Sequence, residues 1–216
     1  MRRRLGQVWV ALGLLVGLNL WVALPSGGQA GPTGEAPKDP AAVEAALRAK
    51  LEKTPNDLEL LFQLGNALYD QGRRTEAQQL FQRVINKQPD FVKALVNLGV
   101  VLNESGKSDS ALVYFDRAEA ISPKEITVLC NKGQALYALR EYQKAIELYR
   151  TSMVLEPNNA LPHYLLGVAF ADAGIYREAI REWQKVVAVD PNSEAAKTAA
   201  DGIKVLQGLL PPGERN

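Results

Sequence analysis

Two side chains in this sequence have the chemistry of a nucleophile, a general base or a soft metal ligand near neutral pH: the one histidine, His163, and the one cysteine, Cys130. Neither stands at a zinc-ligand spacing from a second histidine or cysteine, and no serine sits in a nucleophile elbow. Gly106-Lys107-Ser108 has the tail of a phosphate-binding loop, but no glycine stands at the required distance upstream and no strand precedes it. With no partner fixed by the sequence, His163 reads as a structural residue. Cys130 reads as a small, partly buried one, with a reactive thiol as the lesser alternative. A single cysteine makes no intrachain disulfide. The expectation is a protein that is not an enzyme, with no cofactor, no metal and no small-molecule substrate.

The elements that would position any binding residues come from a repeat. Gly65, Gly99, Gly133 and Gly167 are each 34 residues apart, as are Ala77, Ala111, Ala145 and Ala179. Phe81, Phe115, Tyr149 and Trp183 keep the same period, and so do Pro55, Pro89, Pro123, Pro157 and Pro191. Within one unit Leu61, Leu64, Gly65 and Leu68 share a face at helical spacing, which predicts a first amphipathic helix. Gly72-Arg73-Arg74 breaks the pattern, and Ala77, Phe81 and Val84 begin a second face. The small Gly65 and Ala77 let the two helices approach closely, Phe81 fills the space beside them, and Pro89 ends the unit. One hairpin leaves an apolar face open, which the next copy covers.

These residues resemble the tetratricopeptide repeat: a large apolar residue, then Leu-Gly, then Ala, an aromatic and Pro at fixed offsets. The match runs from Leu58 to Ser193 and implies an all-α fold, an α-solenoid of four helix-turn-helix repeats with a half-repeat N-terminal helix and a C-terminal capping helix. In this family the first helices line a concave groove that holds a peptide. Carried over by position, the groove presents Phe62, Gln63, Asn66 and Tyr69 from repeat one. Val96, Asn97, Val100, Asn103, Cys130, Asn131, Gln134 and Tyr137 follow from repeats two and three, and Tyr164, Val168 and Asp172 from repeat four. Side-chain amides both donate to and accept from a main chain, and Tyr and Phe give rigid apolar contact. Asn66 and Asn97 match the asparagines of the family's clamp for acidic chaperone tails, but its basic positions hold Phe62, Thr127 and Asn131, so that ligand is not expected.

Residues 1–24 read as a membrane anchor or signal peptide. Three arginines precede residues 8–24 (VWVALGLLVGLNLWVAL), a run without charge that the arginines would orient with the rest of the chain outside the cytoplasm. The alternative is cleavage near Ala30, where Gly28-Gln29-Ala30 offers small residues, and a soluble periplasmic or secreted product. No cysteine follows the run, which rules out a lipoprotein anchor. Residues 25–40 form a Pro/Gly linker. Residues 41–57 hold an N-terminal capping helix that looks like the second half of a unit whose first half is missing. The repeats follow at 58–91, 92–125, 126–159 and 160–193, then a capping helix at 194–210 begun by Asn192 or Ser193, and a tail at 211–216.

Repeat three departs most. Lys132 stands where the others have leucine and Arg140 where they have the turn glycine, which predicts looser packing with the ammonium lifted to solvent. In repeat two, Asn103-Glu104-Ser105 fits a glycosylation acceptor. The chain carries 25 basic and 24 acidic residues, and without Arg2, Arg3 and Arg4 the basic count is 22, which argues against nucleic acid as a partner. The reading that results is a non-enzymatic adaptor tethered on the extracytoplasmic, periplasmic side of the membrane. It would bind a protein or peptide in its groove and serve in assembly of envelope complexes, such as cytochrome c maturation or pilus and outer-membrane assembly. The alternative is a self-associating structural module with no peptide ligand.

Overall fold

The computed structural model describes residues 39–211. Among the described residues there are ten α-helices and no strand, the helical-hairpin α-solenoid class expected from the repeat. They are α1 (Pro40–Lys53), α2 (Leu58–Asp70), α3 (Arg74–Lys87), α4 (Val92–Glu104), α5 (Ser108–Ile121), α6 (Ile126–Ala138), α7 (Tyr142–Leu155), α8 (Ala160–Asp172), α9 (Tyr176–Val189) and α10 (Glu194–Leu209). The anchor or signal peptide and nearly all of the linker lie outside the described residues. Among those that are described, no helix is long and apolar enough to cross a membrane.

The chain divides into two compact units, the described parts of which are residues 39–148 and 149–211. In the first unit α2 packs on α3, α4 on α5, and each second helix on the first helix of the next repeat. The reason for Gly-x-aromatic spacing is direct: a Cβ at Gly65 would lie 2.6 Å from the Phe81 ring, and one at Gly99 would lie 2.5 Å from that of Phe115. Only glycine admits the ring, and both rings are fully buried. Leu47 of α1 holds the place one period before Phe81 and is buried on the same core. Charge ties α1 down as well: Arg73 bridges Glu44 of α1 at 2.7 Å and Glu76 at 2.6 Å.

An arginine of each of α3 and α5 also reaches back to the loop that opened its repeat. Arg83 donates to the carbonyl of Pro55, and Arg117 donates to that of Pro89 at 3.0 Å. The loops thus have a main-chain acceptor satisfied without a continuing helix. Asp57 begins α2 by accepting from the Leu60 amide at 3.0 Å.

In the second unit Trp183 of α9 is held between two glycines. A Cβ at Gly167 of α8 would come within 2.4 Å of its indole, and one at Gly202 of α10 within 2.5 Å. Its Nε1 donates to the Tyr164 carbonyl at 3.2 Å. Of the two caps considered for α10, Ser193 is the one used, accepting from the Ala196 amide at 3.1 Å. The outward face of α10 is charged and self-paired, Lys197 with Glu194 and Lys204 with Asp201, as a terminal helix facing water requires.

Candidate functional site: the first-helix face

The face that first helices could offer a partner is sorted by burial. In the first unit Phe62 is buried, its ring centroid 5.8 Å from that of Phe81 and 5.3 Å from that of Phe91. Val96 is buried too, and Cys130 is fully buried, not partly as expected from sequence, so neither reaches a groove. Asn103 is buried and its Oδ1 accepts from Ser108 Oγ at 2.6 Å. Burial of both side chains, with Ser108 Oγ engaged in that bond, argues against the glycosylation reading of Asn103 and against a phosphate-loop reading of Ser108. Asn131 is buried and gives Nδ2 to the Thr127 carbonyl of its own helix at 2.7 Å.

What stays accessible is a smaller set. Gln63 is exposed, and its Nε2 donates to Glu59 at 3.1 Å. Asn66 of α2 and Asn97 of α4 are half-buried and face each other, Asn97 Nδ2 donating to Asn66 Oδ1 at 2.6 Å. That bond uses one of the four hydrogen-bonding positions of each amide: the NH₂ of Asn66 still donates, and the oxygen of Asn97 still accepts. Val100, Gln134 and Tyr137 are half-buried, with Tyr137 edge-on to Tyr142 at 5.0 Å between centroids.

Tyr69 closes this face at the end of α2. Its hydroxyl donates to Glu104 Oε1 at the end of α4, and Arg74 Nε donates to the other oxygen at 2.8 Å. Burial, then the bond to the Glu104 carboxylate, push the Tyr69 phenol well above its ordinary range, so it remains a neutral donor. Glu104 was not foreseen as a site residue, yet its side chain is nearly buried. The signal was the repeat period, which puts Glu104 one residue past the position one period beyond Tyr69.

In the second unit Tyr164 is a core residue: it is buried, its ring is 6.5 Å from that of Trp183, and burial pushes its phenol up to about 12. Val168 is half-buried and Asp172 exposed. His163 is buried with Nδ1 2.6 Å from Glu182 Oε2, and Lys185 joins the same carboxylate at 3.0 Å. This pair fastens α8 to α9 with side chains only 6% and 13% exposed, which bears on the structural reading of His163. Lys132 differs from expectation. Its ammonium is not lifted to solvent but bonds Asp116 at 2.7 Å and Glu119 at 2.6 Å on α5. The apolar stripe offered the stem a path, and two carboxylates of the preceding repeat stood at its end.

Comparison with known families and structures fits this geometry. Residues 62–126 match a family model of the tetratricopeptide repeat, residues 133–174 a TPR repeat model, and residues 163–193 a further tetratricopeptide repeat model. No curated protein matches the sequence. Among solved structures, a thermophilic TPR protein of Thermus thermophilus is similar with TM-score 0.69 at 19% identity, over 76% of this chain and 91% of its own. MamA from Desulfovibrio magneticus RS-1 is similar with TM-score 0.60 at 23% identity, over 72% and 88%. YrrB, a TPR protein with an unusual peptide-binding site, is similar with TM-score 0.56 at 19% identity, over 75% and 84%.

Proposed function

We propose, from the premise that this chain is a tetratricopeptide-repeat protein, that it is a protein-interaction adaptor which takes an uncharged stretch of partner main chain on the first-helix face of residues 58–138. The observation that carries the reading is the Asn66 and Asn97 pair. It joins two successive repeats, and the bond leaves the NH₂ of Asn66 able to donate and the oxygen of Asn97 able to accept, the two roles a peptide main chain needs met. Gln63 and Gln134 extend the same uncharged chemistry on α2 and α6. Of the first-helix cations, Lys132 is spent on Asp116 and Glu119, while Lys93 stands exposed one turn before Asn97. The likeness to YrrB supports a peptide ligand by analogy of fold alone.

The setting we propose is the cell envelope, with the repeats on the extracytoplasmic side, held by residues 1–24 or released by cleavage near Ala30, in assembly of an envelope complex such as those of cytochrome c maturation, pili or the outer membrane. The support is the sequence of residues 1–24, three arginines before an uncharged apolar run. Mass spectrometry of the mature N-terminus in native membranes decides between the two: an intact Met1 region means an anchor, and a start near Gly31 means cleavage. The self-associating alternative draws on Val113 and Val154, large apolar side chains 57% and 80% exposed on second helices. Light scattering that gives a monomer at every concentration removes it.

The binding claim is tested with the double variant Asn66→Ala, Asn97→Ala. Asn131, which family position also favours, is a poor choice because it is buried against its own backbone. Loss of partner capture with an unchanged helical spectrum supports the face; undiminished capture refutes it.

A further inference from the structure

Repeat three breaks register on one helix and the turn that follows it. At the place where Leu64, Leu98 and Leu166 are buried, α6 carries Lys132, its side chain 21% exposed and its ammonium bound to Asp116 and Glu119 of α5. A buried apolar position has become an ionic one, and replacing a partly buried ion pair by a fitted apolar side chain is often stabilising. Next to it, Asn131 buries a carboxamide whose Nδ2 bonds the carbonyl one turn back, a bond that adds nothing to the packing between helices.

The turn after α6 is strained as well. Gly72, Gly106 and Gly174 take φ of 76°, 74° and 75° in the other three repeats, and Arg140 takes 64° in this one. A left-handed conformation is disfavoured for any residue with a Cβ. Three separate departures, in core, in side-chain bonding and in backbone, therefore weaken the same segment.

We propose that α6 with the turn at 139–141 is the opening element of the chain: it loosens from α5 while α2 to α5 stay folded, and in doing so uncovers Cys130, which is fully buried in the closed state. Local opening of this kind draws on the least stable packed unit and proceeds below the free energy of global unfolding. Cys130 serves only as its reporter.

The test is alkylation of Cys130 by iodoacetamide in the folded full-length chain, with amide exchange read by mass spectrometry in parallel. The expected result is labelling that depends weakly on denaturant, together with α6 amides that exchange faster than those of α2 and α4. Arg140→Gly and Lys132→Leu each restore the register of the other repeats and should slow labelling by roughly 5- to 30-fold. Asp116 and Glu119 are 60% and 28% exposed, so both carboxylates keep access to water once the lysine is removed. Labelling with the same denaturant dependence as global unfolding would overturn the proposal. So would rates left unchanged by both substitutions, or exchange no faster in α6 than in α2 and α4.

Discussion

His163 occupies the place that Leu61, Leu95 and Leu129 hold in the earlier repeats, and a buried imidazole there needs a partner. Glu182 supplies it from α9. Burial pushes the Glu182 carboxyl up, but the hydrogen bonds from His163 and Lys185 outweigh it, and the group sits below the ordinary value of 4.5. A carboxylate held low in the folded state contributes stability at pH above its unfolded value and loses it as pH falls through the folded one. The melting temperature of Glu182→Gln should therefore trail the wild type most near neutrality, with the gap closing as pH drops below about 4.5. A gap that stays constant into acid would contradict this. Arg117 offers a second residue-scale test. Its bond to the Pro89 carbonyl joins α5 to the loop before repeat two, and Arg117→Ala should cost about 1 kcal/mol in denaturant unfolding. No loss would mean that the bond contributes nothing to holding the loop.

For the helices, the governing contact is ring over glycine. A methyl at Gly99 would stand 2.5 Å from the Phe115 ring, so Gly99→Ala should cost about 1–3 kcal/mol by overpacking. Combined with Phe115→Leu, the two losses should add to less than their sum, since the smaller side chain makes room. Strict additivity would mean the contact is not what excludes a side chain. The register of this contact was legible in the sequence, because identical spacing forces identical packing. It ceased to be legible at the last helix: Gly202 makes the same close approach to Trp183 one residue beyond the 34-residue period. On that helix the glycine belongs to an apolar face with Ala199 and Leu206, so its register follows that face rather than the repeat period. Lys132 was misjudged for a related reason. One repeat viewed alone shows a lysine stem on an apolar stripe; Asp116 and Glu119, which settle where its charge goes, belong to the repeat before.

Taken as a whole, the chain shows how far position alone carries a binding site. Register placed Asn66 and Asn97 on first helices, but only packing shows that they bond each other, and that Phe62, Val96, Asn103, Asn131 and Tyr164 are inside. A first helix faces both its own hairpin and its neighbour, so a period of 34 residues fixes which helix a residue lies on more firmly than which side of it meets water. The central claim is that the accessible amides of α2, α4 and α6 hold a partner's main chain. The most direct measurement places a photo-crosslinking residue at Gln63 and, separately, at Gln134 in the full-length protein in its native cells, with and without Asn66→Ala, Asn97→Ala. The account predicts one and the same partner segment captured from both positions, and lost in the double variant. Capture that survives the double variant, or crosslinks only to further copies of this chain, would contradict it.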